Sequence, residues 1–129
     1  MTTTRSKLTL LPGRFAILRL DPAKPVPSWV WNGAFSSVSR TPSELSIVCE
    51  EGFVPQDEEA DRGWCALVVA GPMDLSTVGV LASITGPLAV ARVALFAVST
   101  FETDTILIKE ETADLAVTAL RDYGHIVIE

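Results

Sequence analysis

Apolar residues in the first half of the chain fall into short runs of the length and composition typical of β-strands. Pro12-Gly13 separates the first two runs and predicts a turn between them. An acidic, proline-containing stretch over residues 50–63 then indicates a boundary between the two halves. The pattern therefore predicts four strands, over residues 7–11, 14–20, 35–40 and 45–49.

The second half of the chain alternates strand-like runs with two stretches of helical spacing. In the first stretch, residues 78–91, Leu81, Ile84 and Leu88 predict an inward face, and Pro87 predicts a kink. The second stretch begins at Thr112 and ends at Gly124. Its predicted apolar face contains Leu115, Ala116, Ala119, Leu120 and Tyr123. With strands over residues 65–70, 93–98, 105–109 and 125–129, the order is βαββαβ, an α+β, ferredoxin-like arrangement.

An internal repeat relates the two halves. The segment AFSSVSRTPSELSIVCEE, residues 34–51, aligns without a gap with ALFAVSTFETDTILIKEE, residues 94–111. Upstream, FAILRLDP matches CALVVAGP. The repeat predicts two tandem modules, residues 1–61 and 62–129. The first is truncated because it lacks room for a second helix, and we expect Lys7–Leu11 to fill an edge of its sheet.

The charge and composition exclude several classes of protein. The formal net charge is -6 and the ten basic residues are scattered, which argues against nucleic-acid binding. No apolar run approaches the length of a membrane span, and the N-terminal run is too short for a signal peptide. Two cysteines, Cys49 and Cys65, lie in apolar runs, as expected of buried thiols in a reducing compartment. These features predict a cytoplasmic protein without membrane association.

No set of residues predicts catalysis, a metal or a cofactor. His125, the single histidine, begins an apolar strand, so we interpret it as structural and not as the base of a Cys-His dyad. Its spacing from the two cysteines fits no zinc site. The acidic run over residues 50–61 lacks the spacing of a calcium loop. The chain is therefore predicted to be no enzyme.

The start of the first predicted helix is the strongest candidate for a binding site. The first amides of a helix have no intrahelical partner and carry a partial positive charge, which suits a ligand carboxylate. Asp74, Glu102 and Asp104 supply negative charge for an ammonium group or a basic side chain. The alternative is that Asp74 caps the helix and Asp104 makes a turn.

The segment from Gly71 to Glu111 resembles the ACT domain. Three motifs carry the resemblance: GPxDxSxxGxLAxxTxPLA, the FxTD turn, and ILxKEE, with LSIVCEE extending it into the first half. Met73 and Val78 replace the more usual Leu and Thr of the first motif. The chain is similar in particular to small bacterial two-module ACT proteins, to the ACT units of aspartate kinases and to the eukaryotic cytosolic arginine sensors.

The resemblance implies a free amino acid bound between two modules. It assigns one side of the site to the strand-to-helix loop and the following turn, and the other side to a strand of the first module. The implied residues are Asp74, Ser76, Thr77, Val78, Gly79, Phe101 and Asp104 on the first side, and Ser46 and Ile47 on the second.

Two functions fit these observations. The first is an amino-acid-binding regulatory or sensor module, which has an open, acid-lined groove and acts on a homodimer partner or on a separate regulated protein. The second is an interaction or oligomerisation module that has lost its ligand, with the groove filled by Phe101 or Met73. We expect the first.

Overall fold

The computed structural model describes residues 5–71 and 77–129. The elements, in chain order, are β1 (Lys7–Leu10), β2 (Phe15–Leu20), β3 (Ser36–Arg40), β4 (Leu45–Glu50), β5 (Asp61–Val69), α1 (Val80–Val90), β6 (Phe96–Ser99), β7 (Asp104–Lys109), α2 (Ala113–Tyr123) and β8 (Ile126–Ile128). Short 3-10 helices span Ser28–Trp31, Glu51–Phe53 and Glu110–Thr112. No helix among the described residues is long and apolar enough to cross a membrane.

The chain divides into two compact units. One, the C-terminal unit, comprises Met1–Pro12 and Cys65–Glu129; the other, the inserted unit, comprises Gly13–Trp64. The predicted boundary after residue 61 lies close to the observed division after Trp64. The N-terminal residues, however, group with the C-terminal unit, whereas the prediction assigned them to the first module.

The C-terminal unit contains α1, α2 and the sheet strands β6, β7, β5, β1 and β8 in that spatial order. From β5 to β8, the unit follows the predicted strand–helix–strand–strand–helix–strand order. The α+β class and the ferredoxin-like fold are therefore confirmed. Among the described residues, twelve are buried in its core, and they come from both helices, from the sheet and from the connection between α1 and β6: Leu8, Leu67, Val69, Ile84, Leu88, Val93, Ile106, Ile108, Ala116, Val117, Leu120 and Val127.

Strand β1 occupies a position that the sequence pattern did not predict. It pairs antiparallel with β5, with Leu8 opposite Val69, and parallel with β8, with Leu8 opposite Val127. The expectation that Lys7–Leu11 fills an edge of the first module's sheet is therefore wrong. The physical reason is that the fully buried Leu8 side chain belongs to the core of the C-terminal unit.

The residue before helix α1 has a backbone conformation that glycine adopts more easily than any other residue. Gly79 has φ 89° and ψ -4°, a left-handed conformation in which a Cβ atom would be strained. Gly124, at φ 120°, ends α2 in the same half of conformational space. Gly124 lies where the sequence pattern predicted the end of its helix, whereas Gly79 lies one residue inside the helix predicted to begin at residue 78.

The buried face of α2 differs from the predicted one. Ala116, Val117 and Leu120 are buried, whereas Leu115 is 50% exposed and Tyr123 is 39% exposed. Adjacent helical residues point about 100° apart, so a stripe centred on Ala116 and Leu120 turns Leu115 toward solvent.

The inserted unit has its own core and its own sheet. Strand β4 lies between β2 and β3 and pairs antiparallel with both, and the first residues of β5 pair with β2. Ala16, Leu18, Leu20, Val30, Leu45, Ile47, Cys49 and Val54 form the core. A 3-10 helix of four residues, Ser28–Trp31, connects β2 to β3, in the position where the C-terminal unit has the longer α1.

The predicted repeat contains one hairpin in each half. When the two hairpins are matched by their structures, the equivalent residues differ by one position from those of the gapless sequence alignment. Thr41 N–H donates to Glu44 O in one hairpin and Thr100 N–H donates to Thr103 O in the other. Thr41 is thus equivalent to Thr100, whereas the alignment matched it with Phe101. The turn sets the strand register, and a one-residue shift moves every side chain to the opposite face of the sheet. Structural equivalence between the two hairpins therefore follows their strand pairing and not the identical residues of the alignment. A tandem origin of the two units stays a prediction.

Candidate functional site

A cavity of about 320 Å³ opens between the start of α1 and the β6–β7 turn, entirely within the C-terminal unit. This is large enough for a small organic molecule such as an amino acid. The lining residues are Thr77, Gly79, Val80, Leu81 and Ala82 on the helix side, and Ser99, Thr100, Phe101, Glu102, Thr103 and Asp104 on the turn side.

The helix wall offers backbone donors. Ser83 N–H already donates to Gly79 O at 3.0 Å, so the amides that precede it in α1 belong to Val80, Leu81 and Ala82. These three amides have no acceptor within the helix. No side chain among the described residues caps this end of α1, and its first turn contains no acidic residue. The helix start is therefore an electropositive surface facing the cavity.

Hydrogen bonds within the turn and to β5 define the conformation of the turn wall. Ser99 Oγ donates to Asp104 Oδ1 at 2.6 Å, and Thr103 N–H donates to Thr100 Oγ1 at 3.3 Å. Thr103 Oγ1 also donates to the Val69 carbonyl of β5. The Asp104 carboxylate keeps further acceptor capacity after the bond from Ser99, because an ionised carboxylate has about four acceptor positions.

The Phe101 side chain does not fill the cavity. Phe101 lines it with a side chain that is 78% exposed. The groove is open at this wall, which is the condition that favours ligand binding over the interaction-module alternative. Met73, the other residue expected to fill a ligand-free groove, lies outside the described residues.

Of the predicted site residues, the structure brings together Thr77, Gly79, Phe101 and Asp104 at the cavity. Val78 follows Thr77 and is 89% exposed. Asp74 and Ser76 lie outside the described residues. The pattern missed six lining residues, Val80, Leu81, Ala82, Ser99, Thr100 and Thr103. The FxTD motif contains Thr103 and directly follows Ser99 and Thr100, so it could have drawn attention to these three.

Ser46 and Ile47 lie in β4 of the inserted unit. The Ile47 side chain is fully buried in that unit's core, and Ser46 is partly buried. Both residues pair with β2 on one side and with β3 on the other, Ser46 with Arg19 and Ser39. The backbone of this strand is therefore already used in the sheet.

The cysteines and the metal-binding side chains are the other candidate groups. Both cysteines are buried. Burial, together with the charge of Glu50, raises the pKa of the Cys49 thiol to about 11, against a smaller opposite effect of Arg62. A thiol with this pKa is almost entirely protonated at neutral pH and is a poor nucleophile. No group of three or more His, Cys, Asp or Glu residues among the described part of the chain could hold a metal ion.

Comparison with known proteins identifies the family. Residues 59–122 match the family model of the ACT domain. A protein from Agrobacterium tumefaciens is 34% identical in sequence, with a TM-score of 0.91 over 97% of this chain and 93% of that one. This chain belongs to the ACT domain family. The ACT model begins two residues before β5 and ends within α2, so it covers all the described residues that line the cavity.

More distant structures share the fold of this ACT protein. A Vibrio cholerae protein of unknown function is 19% identical, with a TM-score of 0.73 over 92% of this chain and 89% of that one. The ligand-free regulatory subunit of aspartate kinase from Thermus thermophilus is 14% identical, with a TM-score of 0.60 over 86% of this chain and 92% of that one. A separate family model, described as an N-terminal domain, matches residues 13–57, close to the bounds of the inserted unit.

Proposed function

We propose that this ACT protein is a non-catalytic regulatory module that binds a free amino acid in the cavity at the start of α1. The observation that supports the proposal is that one wall of the open cavity is electropositive and the other carries acidic side chains. Uncapped helix amides form one wall, and Asp104 with Glu102 lies in the other. An α-amino acid carries the matching carboxylate and ammonium groups on adjacent atoms.

The ligand carboxylate is proposed to accept hydrogen bonds from the amides of Val80, Leu81 and Ala82. These groups are oriented toward the N-terminal end of α1, where the helix dipole adds favourable potential for an anion. Gly79 supports this geometry because it presents no side chain at the point where the ligand would approach the backbone.

The ligand ammonium is proposed to lie against Asp104, with Thr77, Val78 and Phe101 bordering the ligand. Asp74 and Ser76 of the preceding loop belong to the same proposed site by the resemblance of the motif. The paired β4 backbone and the buried Ile47 side chain argue against a role for Ser46 and Ile47 in direct contact. The proposed contacts therefore belong to the C-terminal unit.

The charges of the cavity favour amino acids with neutral or basic side chains. Asp104 and Glu102 are the ionisable side chains among its described lining residues, and the loop over residues 72–76 contains no basic residue in sequence. An aspartate or glutamate ligand would bring a second carboxylate to these acids without a cationic side chain from the cavity to compensate it. Like charges in such a site cost several kcal/mol in unfavourable cases.

Ligand binding regulates a partner, either a second copy of this chain or a separate protein in the cytoplasm. The amino acid shifts the conformational equilibrium only by its difference in affinity for the two states. Ligand binding would change how well ordered the two walls of the cavity are, namely the β6–β7 turn and the start of α1.

A thermal-shift screen of the purified protein against the standard amino acids, each at millimolar concentration, tests this function. A ligand at a hundredfold its dissociation constant adds about 2.7 kcal/mol of stability. We expect one or a few neutral or basic amino acids to raise the melting temperature, with no response to aspartate or glutamate. A folded protein that responds to none would instead be an interaction module. A strongest response to aspartate or glutamate would contradict the charge argument.

A further inference from the structure

Pro87 leaves a gap in the hydrogen-bond ladder of α1. In an α-helix each N–H donates to the carbonyl four residues earlier, and the residue that would donate to Ser83 O is Pro87, which has no N–H. Ser83 is 6% exposed, so water does not readily replace the missing donor. A buried carbonyl without a partner is costly.

His125 supplies the missing donor. Its Nε2 lies 2.8 Å from Ser83 O in a buried contact, and its Nδ1 accepts a hydrogen bond of 2.9 Å from Ser6 N–H. Because Nδ1 accepts, the ring proton is on Nε2, and Nε2–H donates to Ser83 O. The ring is 3% exposed and stacks on Tyr123 at a centroid distance of 5.1 Å.

Ser83 in turn holds the residues that line the cavity. Its N–H donates to Gly79 O at 3.0 Å, and its hydroxyl donates to Val80 O at 2.6 Å. Both acceptors belong to the helix wall of the cavity. A continuous series of hydrogen bonds therefore runs from His125 through Ser83 to the start of α1.

We propose that His125 is a positioning residue of the amino-acid site, which fixes the first turn of α1 by replacing the backbone donor that Pro87 removes. This inference rests on the proposed function for its effect on ligand binding. The ligand carboxylate meets amides whose direction depends on this turn, so a loss of the His125 bond lowers affinity without removing any group that touches the ligand.

The backbone of Ser6 connects the same histidine to the sheet. Ser6 N–H donates to His125 Nδ1, and Ser6 O accepts from Ile126 N–H at 2.9 Å. His125 is thereby fixed from the side opposite Ser83 by the segment that leads into β1. Its ring cannot turn away from α1 without breaking this second bond.

A double-mutant cycle between His125 and Pro87 tests the proposal. His125→Asn removes the group at the Nε2 position, and Pro87→Ala restores an N–H that can donate to Ser83 O. His125→Gln is the matched control because its longer amide can keep a donor near the Nε2 position. The cavity left by asparagine is common to both backgrounds and cancels in the cycle.

Two readouts separate this proposal from the proposed function. The first needs no ligand: hydrogen exchange at the Ser83 amide reports the integrity of the first turn. We expect His125→Asn to raise this exchange rate by about 2- to 10-fold with Pro87 present, the range of one ordinary hydrogen bond, and by less than about 2-fold in the Pro87→Ala background. The second is affinity for the amino acid with the largest stabilising effect in the screen, which is expected to fall by the same factors.

Equal losses in the two backgrounds would overturn the proposal, because they would mean that His125 acts only by packing. A His125→Gln protein that matches His125→Asn in both readouts would overturn it too. If no amino acid binds to the wild type, the proposed function fails. The exchange readout still tests whether His125 replaces the donor that Pro87 removes.

Discussion

Replacing Leu8 with alanine is expected to lower the free energy of unfolding by about 2–5 kcal/mol, the range for a fully buried leucine. Leu8 is 0% exposed and belongs to the core of the C-terminal unit, opposite Val69 of β5 and Val127 of β8. Alanine would leave a cavity in the core, next to the side chains of Val69 and Val127. Urea denaturation followed by far-UV circular dichroism measures the change.

The neighbouring Thr9→Ala is the matched control for Leu8→Ala. Thr9 is exposed, lies in the same strand and pairs with the same two strands, opposite Val68 and Ile128. Its replacement is expected to change stability by no more than about 0.5 kcal/mol. If the two variants lose the same stability, β1 does not contribute to the core and the division of the chain into these two units is incorrect.

Asp104→Asn is expected to weaken binding of the amino-acid ligand by about 10- to 150-fold. The change corresponds to about 1.5–3 kcal/mol, the contribution of a hydrogen bond to a charged group. Asparagine keeps an oxygen that can accept the bond from Ser99 Oγ, which is 2.6 Å from Asp104 Oδ1, so the turn is preserved. Isothermal titration calorimetry with the amino acid selected by the thermal-shift screen measures the difference.

Asp114→Asn provides the control for Asp104→Asn. It makes the same change in net charge at an exposed position in the first turn of α2. Affinity is expected to stay within about 2-fold of the wild type, because Asp114 does not line the cavity and salt screens the charge of an exposed side chain. Comparable losses in the two variants would indicate a general effect of charge and would argue against a direct contact at Asp104.

Elements with a strong local signal were predictable from the sequence. Helix α1 spans Val80–Val90 against a predicted 78–91, and β7 spans Asp104–Lys109 against a predicted 105–109. Long apolar runs account for this agreement. The helix start and the FxTD turn were also identified as parts of one candidate site, and the structure brings them together at one cavity.

Partners that are distant in sequence were not predictable. The pairing of β1 with β5 and β8 depends on which core receives Leu8, and a four-residue strand carries too little pattern to specify that. The register of each hairpin is set by its turn. A repeated sequence motif does not specify which residues lie opposite each other, so the alignment did not predict the register. Similarly, Pro87 and His125 were each interpreted alone, although the Ser83 carbonyl joins them.

The location of ligand binding in the molecule tests the proposed amino-acid site at the start of α1 directly. We would titrate the ¹⁵N-labelled protein with the standard amino acids and follow each backbone amide by NMR. We expect saturable shifts at Val80, Leu81 and Ala82 and at residues 99–103 for at least one neutral or basic amino acid. An absence of shifts, or shifts confined to residues 13–64, would contradict an amino-acid site at the start of α1.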